Sequence, residues 1–481
     1  MFWGVDPFFL IALLLFASLM ASKLSSRFGI PALLMFLAVG MLFGSEGLGT
    51  IAFDDAELAN QIGTVALAFI IYIGGFTAPW KKIKPTVKYG SVLSTLGVFL
   101  TALLITMFVH FVFETSFKEA MLIGAIISST DASAVFTILR SSSADLKGDL
   151  APMLEFESGS NDPMAIFLTI AALQLIMAPV TTSVPYLLFK FFIQLLIGVG
   201  VGLGMGKLAS LVFNKIKLDY EGLYPVLGVS FVMLTFGTAN MLYGNGFLAV
   251  YLCGLLMGNI EFKYHRTLER FYDGIAWLMQ IMMFLILGLL VFPSQLPGVM
   301  LEGLAIAAFL MIIARPVAVY LCLIGSKYSV KEKLFLGWVG LRGAVPIVLA
   351  TYPLMARHPD AIRIFDLVFF IVLSSVILQG KSIYYVAKLY KLCKPARKIP
   401  KSPIEFNPDS DVTARIREID LSENSPFEGA LISEIELPDD ILILSILREN
   451  QFIMPRGKTK LKSFDRIMIY GEPASLEKIN L

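Results

Sequence analysis

The apolar residues of this chain fall into long runs, and a helix crosses the hydrocarbon core of a bilayer in about 20 residues. Reading for such runs predicts thirteen helices: Phe8–Ser22, Ile30–Phe43, Ile62–Trp80, Ser91–Phe113, Ala120–Leu139, Met153–Met177, Val184–Phe213, Leu223–Leu242, Gly246–Ile260, Ile275–Phe292, Val299–Ile324, Leu334–Tyr352 and Ile364–Leu378. The loops test that count. Odd-numbered loops carry seventeen basic residues, Lys81, Lys82, Lys84, Lys88, Lys331 and Lys333 among them, whereas even-numbered loops hold Lys118, Arg357 and Arg363. Lys/Arg-rich loops are cytoplasmic. The N-terminus is therefore expected outside and the C-terminus inside, and the alternation shows no inversion of the kind a missed helix would cause.

After Leu378 the pattern changes. Residues 391–410 read as a basic, proline-bearing linker that meets membrane lipid headgroups. From Asp411 the period shortens: Ala414–Leu421, Leu442–Leu447, Phe452–Met454 and Ile467–Tyr470 read as strands, and Ser425–Ile435 as a short capped helix. The expected organisation is a transmembrane domain at 1–390, the linker at 391–410 and a small α+β cytoplasmic domain at 411–481. A domain that small gains from pairing with a second copy.

Composition narrows the function. Hydrophobic residues make up 57% of the 481 and charged ones 16%, against about 25% charged in ordinary soluble proteins. This excludes a water-soluble enzyme. The balance of 39 basic and 37 acidic residues, net +2, leaves no field for nucleic acid. Cys253, Cys322 and Cys393 are too few and scattered for a disulfide framework or a zinc site, and no cofactor is expected. The start, Met1 to Pro7, lacks the basic region of a signal peptide.

Ionisable residues inside a membrane span are costly and usually functional. Five stand out: Asp131 in span five, Glu157 and Asp162 in span six, Arg315 in span eleven and Arg342 in span twelve. In Glu157-Ser158-Gly159-Ser160-Asn161-Asp162-Pro163, helical spacing stacks Glu157 on Asn161 and Ser158 on Asp162. The first ridge, acid plus amide, suits an arginine; the second, hydroxyl plus acid, suits a cation or a proton. Span five breaks at Ser128-Ser129-Thr130-Asp131, and a polar break at that depth must be buried in protein or line water. Span twelve breaks at Gly340-Leu341-Arg342-Gly343-Ala344-Val345-Pro346, where Pro346 leaves the Arg342 carbonyl without its helical donor. Arg342 can satisfy half-helix carbonyl ends, and Asp131 stands where half-helix N–H groups need an acceptor. Spans five and twelve are seven apart, so two inverted repeats are expected, with matched broken helices marking a transporter's midplane site.

These residues resemble the monovalent cation/proton antiporters, specifically their NhaP-like branch, through Asn161-Asp162 with Glu157, the Thr130-Asp131 break and Gly340–Gly343. The resemblance covers roughly residues 8 to 390. It implies an all-α, thirteen-helix homodimer in the bacterial inner membrane, with a core domain moving against a dimerisation domain. It implies Asp162 as the carboxylate shared by cation and proton, with Asn161, Asp131, Thr130 and Ser158 around it. Asp162, Thr130 and Ser158 would hold the transported ion. Glu157 pairs with an arginine, Arg315 first and Arg342 second. Residues from Asp411 are similar to the TrkA-C-like regulator module, which implies a small nucleotide-type ligand at 411–481 and tilts the cargo from sodium towards potassium. With Asn161 where a second carboxylate could stand, one negative charge is neutralised at a time, and exchange is expected to be electroneutral.

Two other classes are weaker. A gated potassium channel needs a T-V-G-Y-G-type carbonyl loop, which Tyr72-Ile73-Gly74-Gly75 and Tyr243-Gly244-Asn245-Gly246 do not match. A membrane enzyme needs a Ser/His or paired-Asp arrangement, and His110, His265 and His358 fall at membrane edges or in loops.

Overall fold

The structure is a computed structural model describing residues 6–28, 31–47, 51–141, 144–177, 183–260, 262, 264–395, 415–421, 427–435, 437–438, 440–448, 451–463, 465–472 and 475. The chain forms two units, Met1–Ala396 and Arg397–Leu481.

In the first unit helix occupies every one of the apolar runs. Among the described residues, eight helices are long and apolar enough to cross a membrane: Ala56–Phe76, Trp80–Val112, Leu150–Met177, Pro185–Lys215, Leu223–Met241, Thr267–Leu289, Leu296–Cys322 and Ala361–Leu389. The segments Phe8–Leu24, Ala32–Phe43, Gly246–Gly258 and Ala344–Met355 are apolar but shorter.

In lipid the helices gain nothing from hiding apolar surface from each other, so close backbone approach at small residues decides the packing. Gly254 and Gly258 press on the carbonyls of Tyr72 and Phe76, where an added Cβ would stand 2.2 and 1.8 Å away. Gly75 meets the Tyr251 carbonyl from the other side, at 2.3 Å. Of the five glycines at alternate positions in the seventh helix, Gly198, Gly202 and Gly206 pack on Asn245, Ala249, Leu252, Cys253 and Leu256, whereas Gly200 and Gly204 meet nothing within 4 Å. Four-residue spacing therefore carries that contact, and the remaining glycines face away.

The fifth and twelfth apolar runs are each broken. Phe117–Ile126 and Ala132–Ser141 form one broken helix, Val330–Trp338 and Ala344–Leu349 the other. Their non-helical stretches meet, and the Asp131 N–H donates to the Leu341 carbonyl at 2.8 Å. A second matched irregularity accompanies them: Leu93–Gly97 and Leu310–Ala314 are π-helical turns within Trp80–Val112 and Leu296–Cys322, and such turns are frequent at functional sites.

Strand Ala144–Leu146 pairs antiparallel with Cys393–Pro395, and the Lys147 N–H donates to the Leu392 carbonyl at 2.9 Å. The start of the expected linker is thus strand, and the rest of it, from 396 on, lies outside the described residues.

The second unit carries four described strands in one antiparallel sheet, in the order Arg415–Asp420, Arg466–Gly471, Leu442–Arg448, Gln451–Ile453. Its core is Leu421, Ile443, Ile446, Leu461, Ile467 and Ile469. The helix expected over Ser425–Ile435 is a correction: its described part holds only the 3₁₀ turn Ile432–Glu434. The N–H groups of Ile432 and Ser433 donate to the carbonyls of Thr459 and Gly457, which draws that backbone into β-like pairing.

Candidate ion-binding site

The site lies where the two broken helices meet Leu150–Met177. Glu157 and Arg315 are each 1% exposed, and Arg315 Nη2 donates to Glu157 Oε1 at 2.5 Å. Arg315 follows directly on the π-helical turn Leu310–Ala314.

The Gly-Leu-Arg-Gly stretch has a steric and electrical logic. A Cβ on Gly340 would come within 2.9 Å of Arg315 Nε, and one on Gly343 within 2.3 Å of Asp131 Oδ2. Between them Arg342 is fully buried. Its Nη1 donates to the Ser128 carbonyl at 2.7 Å and to that of Ser129, the carbonyl end of the first half-helix. A guanidinium there meets both the unpaired acceptors and the negative end of the helix dipole. Asp131, against Gly343, faces the start of Ala344–Leu349, as its charge requires. The second broken helix is closed differently. Gln379 Nε2 donates to the Trp338 carbonyl at 2.7 Å, and Ser375 Oγ donates to Gln379 Oε1 while accepting from the Arg342 N–H.

Asp162 is buried, and Ser129 Oγ donates to its Oδ1 at 2.5 Å. Ser129 is not on the helical ridge of Asp162, and its membership of the polar Ser128-Ser129-Thr130 break is the signal the sequence carries for it. Thr130 turns the other way. Its Oγ1 accepts from Asn161 Nδ2 at 2.5 Å and lies 3.4 Å from Glu157 Oε1. Asn161 thus braces the break, and neither its amide nor the Thr130 hydroxyl bonds Asp162. Ser158 Oγ accepts from the Ala132 N–H at 3.0 Å and donates to the Thr130 carbonyl at 3.2 Å, capping the second half-helix.

A cavity of about 400 Å³ reaches this place, lined by Thr130, Asp131, Ser158 and Asp162 together with Glu155, Tyr251 and the exposed Asp273. Its other walls include Pro31, Ala32, Thr77 and Ala78, all at helix ends that adjoin the basic loops. The arrangement is a buried acid on the wall of a cavity that also carries hydroxyl and carboxylate groups, beside a second acid that an arginine neutralises. No group of three or more His, Cys, Asp or Glu side chains able to hold a resident metal ion occurs among the described residues.

Comparison with known proteins agrees. Residues 11–389 match the family model described as sodium/hydrogen exchanger, transmembrane, and residues 416–480 match the TrkA-C domain. The K(+)/H(+) antiporter NhaP2 of Shewanella sp. (strain ANA-3) is 39% identical over 482 residues, covering 99% of this chain and 83% of the relative. The K(+)/H(+) antiporter NhaP of Alkalimonas amylolytica is 37% identical, covering 98% of this chain and 82% of that protein. Among solved structures, the sodium proton antiporter MjNhaP1 from Methanocaldococcus jannaschii at pH 8 superposes with a TM-score of 0.69 at 26% identity, covering 79% of this chain and 97% of that one. A family model spanning most of the chain and relatives matched along most of their length lead to one conclusion: this multi-pass membrane protein belongs to the sodium/hydrogen exchanger family and is a cation/proton antiporter.

Proposed function

We propose that this antiporter exchanges one potassium ion for one proton at Asp162, with sodium as the competing cargo, and that the exchange is electroneutral. The observation that carries this reading is the charge balance at the crossing. Arg315 and Arg342 stand against Glu157, Asp162 and Asp131, leaving one negative charge. One proton or one monovalent cation cancels it, and the two loaded states carry the same charge. An unloaded crossing would move a bare charge through a low-dielectric interior, which is costly. The empty carrier therefore stays put, and exchange is obligatory. Ser129, Ser158 and Thr130 supply hydroxyl and carbonyl oxygens of the kind a dehydrating alkali cation takes up.

Potassium is favoured by the names of the long relatives and by the tail, which matches the TrkA-C domain. In this reading all thirteen helices span the membrane as two inverted repeats, with the N-terminus outside and the C-terminus cytoplasmic in a bacterial inner membrane. The protein works as a homodimer in which the crossing helices move against a dimerisation domain. Residues from about Asp411 form a regulatory module for a nucleotide-type ligand.

Proton movement driven by potassium, sodium or lithium in everted vesicles tests the reading. Asp162→Asn abolishes it while the protein still inserts and stays folded. In proteoliposomes the rate is insensitive to an imposed membrane potential; a steep response would overturn electroneutrality, and full flux in Asp162→Asn would overturn the assignment of the site.

A further inference from the structure

On Leu150–Met177 the residues Glu155, Ser158, Gly159 and Asp162 fall at i, i+3, i+4 and i+7, one face of the helix, and all four line the cavity. At 1.5 Å rise per residue the two carboxylates stand about 10 Å apart along the axis. A cation travelling that distance between acids needs oxygen contacts on the way. Gly159 marks where one is supplied. A Cβ there would stand 2.4 Å from Tyr251 Cε2, so the absence of a side chain lets the Tyr251 ring lie on the helix between the two acids. The ring is also fixed edge-on to Phe156, centroids 6.3 Å apart, and its backbone is pinned against Gly75. Tyr251 is 1% exposed, yet its hydroxyl has no hydrogen-bond partner among the described residues. A buried hydroxyl without a partner costs free energy, and this one belongs to a residue lining the passage to Asp162.

We infer that Glu155 and the Tyr251 hydroxyl form an outer site for the monovalent cation, one step before Asp162 on the path from the basic-loop face. Asp273, exposed at the same cavity, adds charge at its mouth. A cleft lined by one sign of charge concentrates counter-ions. The hydroxyl replaces part of the hydration shell before Asp162 accepts the ion. The inference rests on the Asp162 reading and adds to it the residues that set affinity on one face of the membrane.

The test is steady-state exchange by the full-length protein in everted vesicles, with potassium and then sodium on the basic-loop face. Tyr251→Phe keeps the ring and removes only the hydroxyl; Glu155→Gln keeps shape and removes charge. Glu155→Gln raises the cation KM about tenfold or more, the low end of what such a cleft contributes, and Tyr251→Phe raises it about fivefold, the worth of one hydrogen bond, while kcat falls less than about twofold in either. The KM measured from the opposite face, in right-side-out vesicles, stays as in the parent protein. A cation KM in both variants within about twofold of the parent, or an equal rise from both faces, overturns the outer site. A failure of the Asp162 reading shows separately, as exchange persisting in Asp162→Asn.

Discussion

Glu157 and Asp162 stand five residues apart on one helix, and their surroundings separate them. Glu157 is consumed by Arg315 in a buried pair, whereas among the described residues Asp162 accepts only from the neutral hydroxyl of Ser129. Breaking a buried pair by removing one partner leaves an uncompensated charge and costs about 3–5 kcal/mol. Glu157→Ala is therefore expected to lower the melting temperature in detergent well below that of Asp162→Asn, which removes a charge without stranding one. Equal melting temperatures would remove the distinction. Arg342 is held by geometry as much as by charge. Arg342→Lys keeps the charge but replaces a planar fork with a single ammonium, and it should lose the two-carbonyl contact and destabilise by about 1–3 kcal/mol. A thermal melt of the purified variant checks this.

At the scale of elements, the glycine contacts hold Tyr251 and the crossing in position. Gly258→Ala places a Cβ 1.8 Å from the Phe76 carbonyl. The helices must separate or bend, at a cost of about 1–3 kcal/mol. Gly204→Ala, on the face that meets nothing within 4 Å, should be neutral or slightly stabilising, since alanine is the better helix former. The pair of melts separates close packing from a general intolerance of larger residues in this bundle. The broken helices follow the same logic of satisfaction. Arg342 and Gln379 take up carbonyls that a continuous helix would have used, and without them a break in mid-membrane would carry unpaired backbone groups.

For the whole molecule, the strand pair Ala144–Leu146 with Cys393–Pro395 joins the loop ahead of the Asp162 helix to the segment that leads towards the second unit. Under the proposed regulatory reading, a bound ligand would bias transport only through differential affinity for two states, and this hydrogen-bonded strand pair is where such a bias would enter the first unit. Truncation near Lys401 is expected to shift the pH or cation dependence of exchange without abolishing it. Lys147→Pro removes the N–H that bonds the Leu392 carbonyl, and it should reproduce part of that shift in the full-length protein. An unchanged activity profile in both variants would separate the second unit from transport.

Much of this was legible in the sequence. The apolar runs marked every helix of the first unit, the shorter and broken ones included, because in lipid each backbone must satisfy its own hydrogen bonds locally. The five intramembrane charges, the two breaks and the Glu157–Arg315 preference were readable for a related reason: a charge or a break at that depth has few permitted explanations. The alternating stretches of the tail likewise marked its strands. What the sequence did not carry was which oxygen meets which acid. Ser129, not Thr130, reaches Asp162, and Asn161 braces Thr130 instead of clasping the arginine. Helical spacing predicts neighbours on one element, whereas these contacts join segments about thirty residues apart or more, across a non-helical stretch whose side chains follow no period. Gln379, the strand pair at Cys393–Pro395 and the place of Tyr251 against Gly159 were hidden for the same cause. Local pattern specified the helices and the cost of each buried charge; only their packing decided which partner met it.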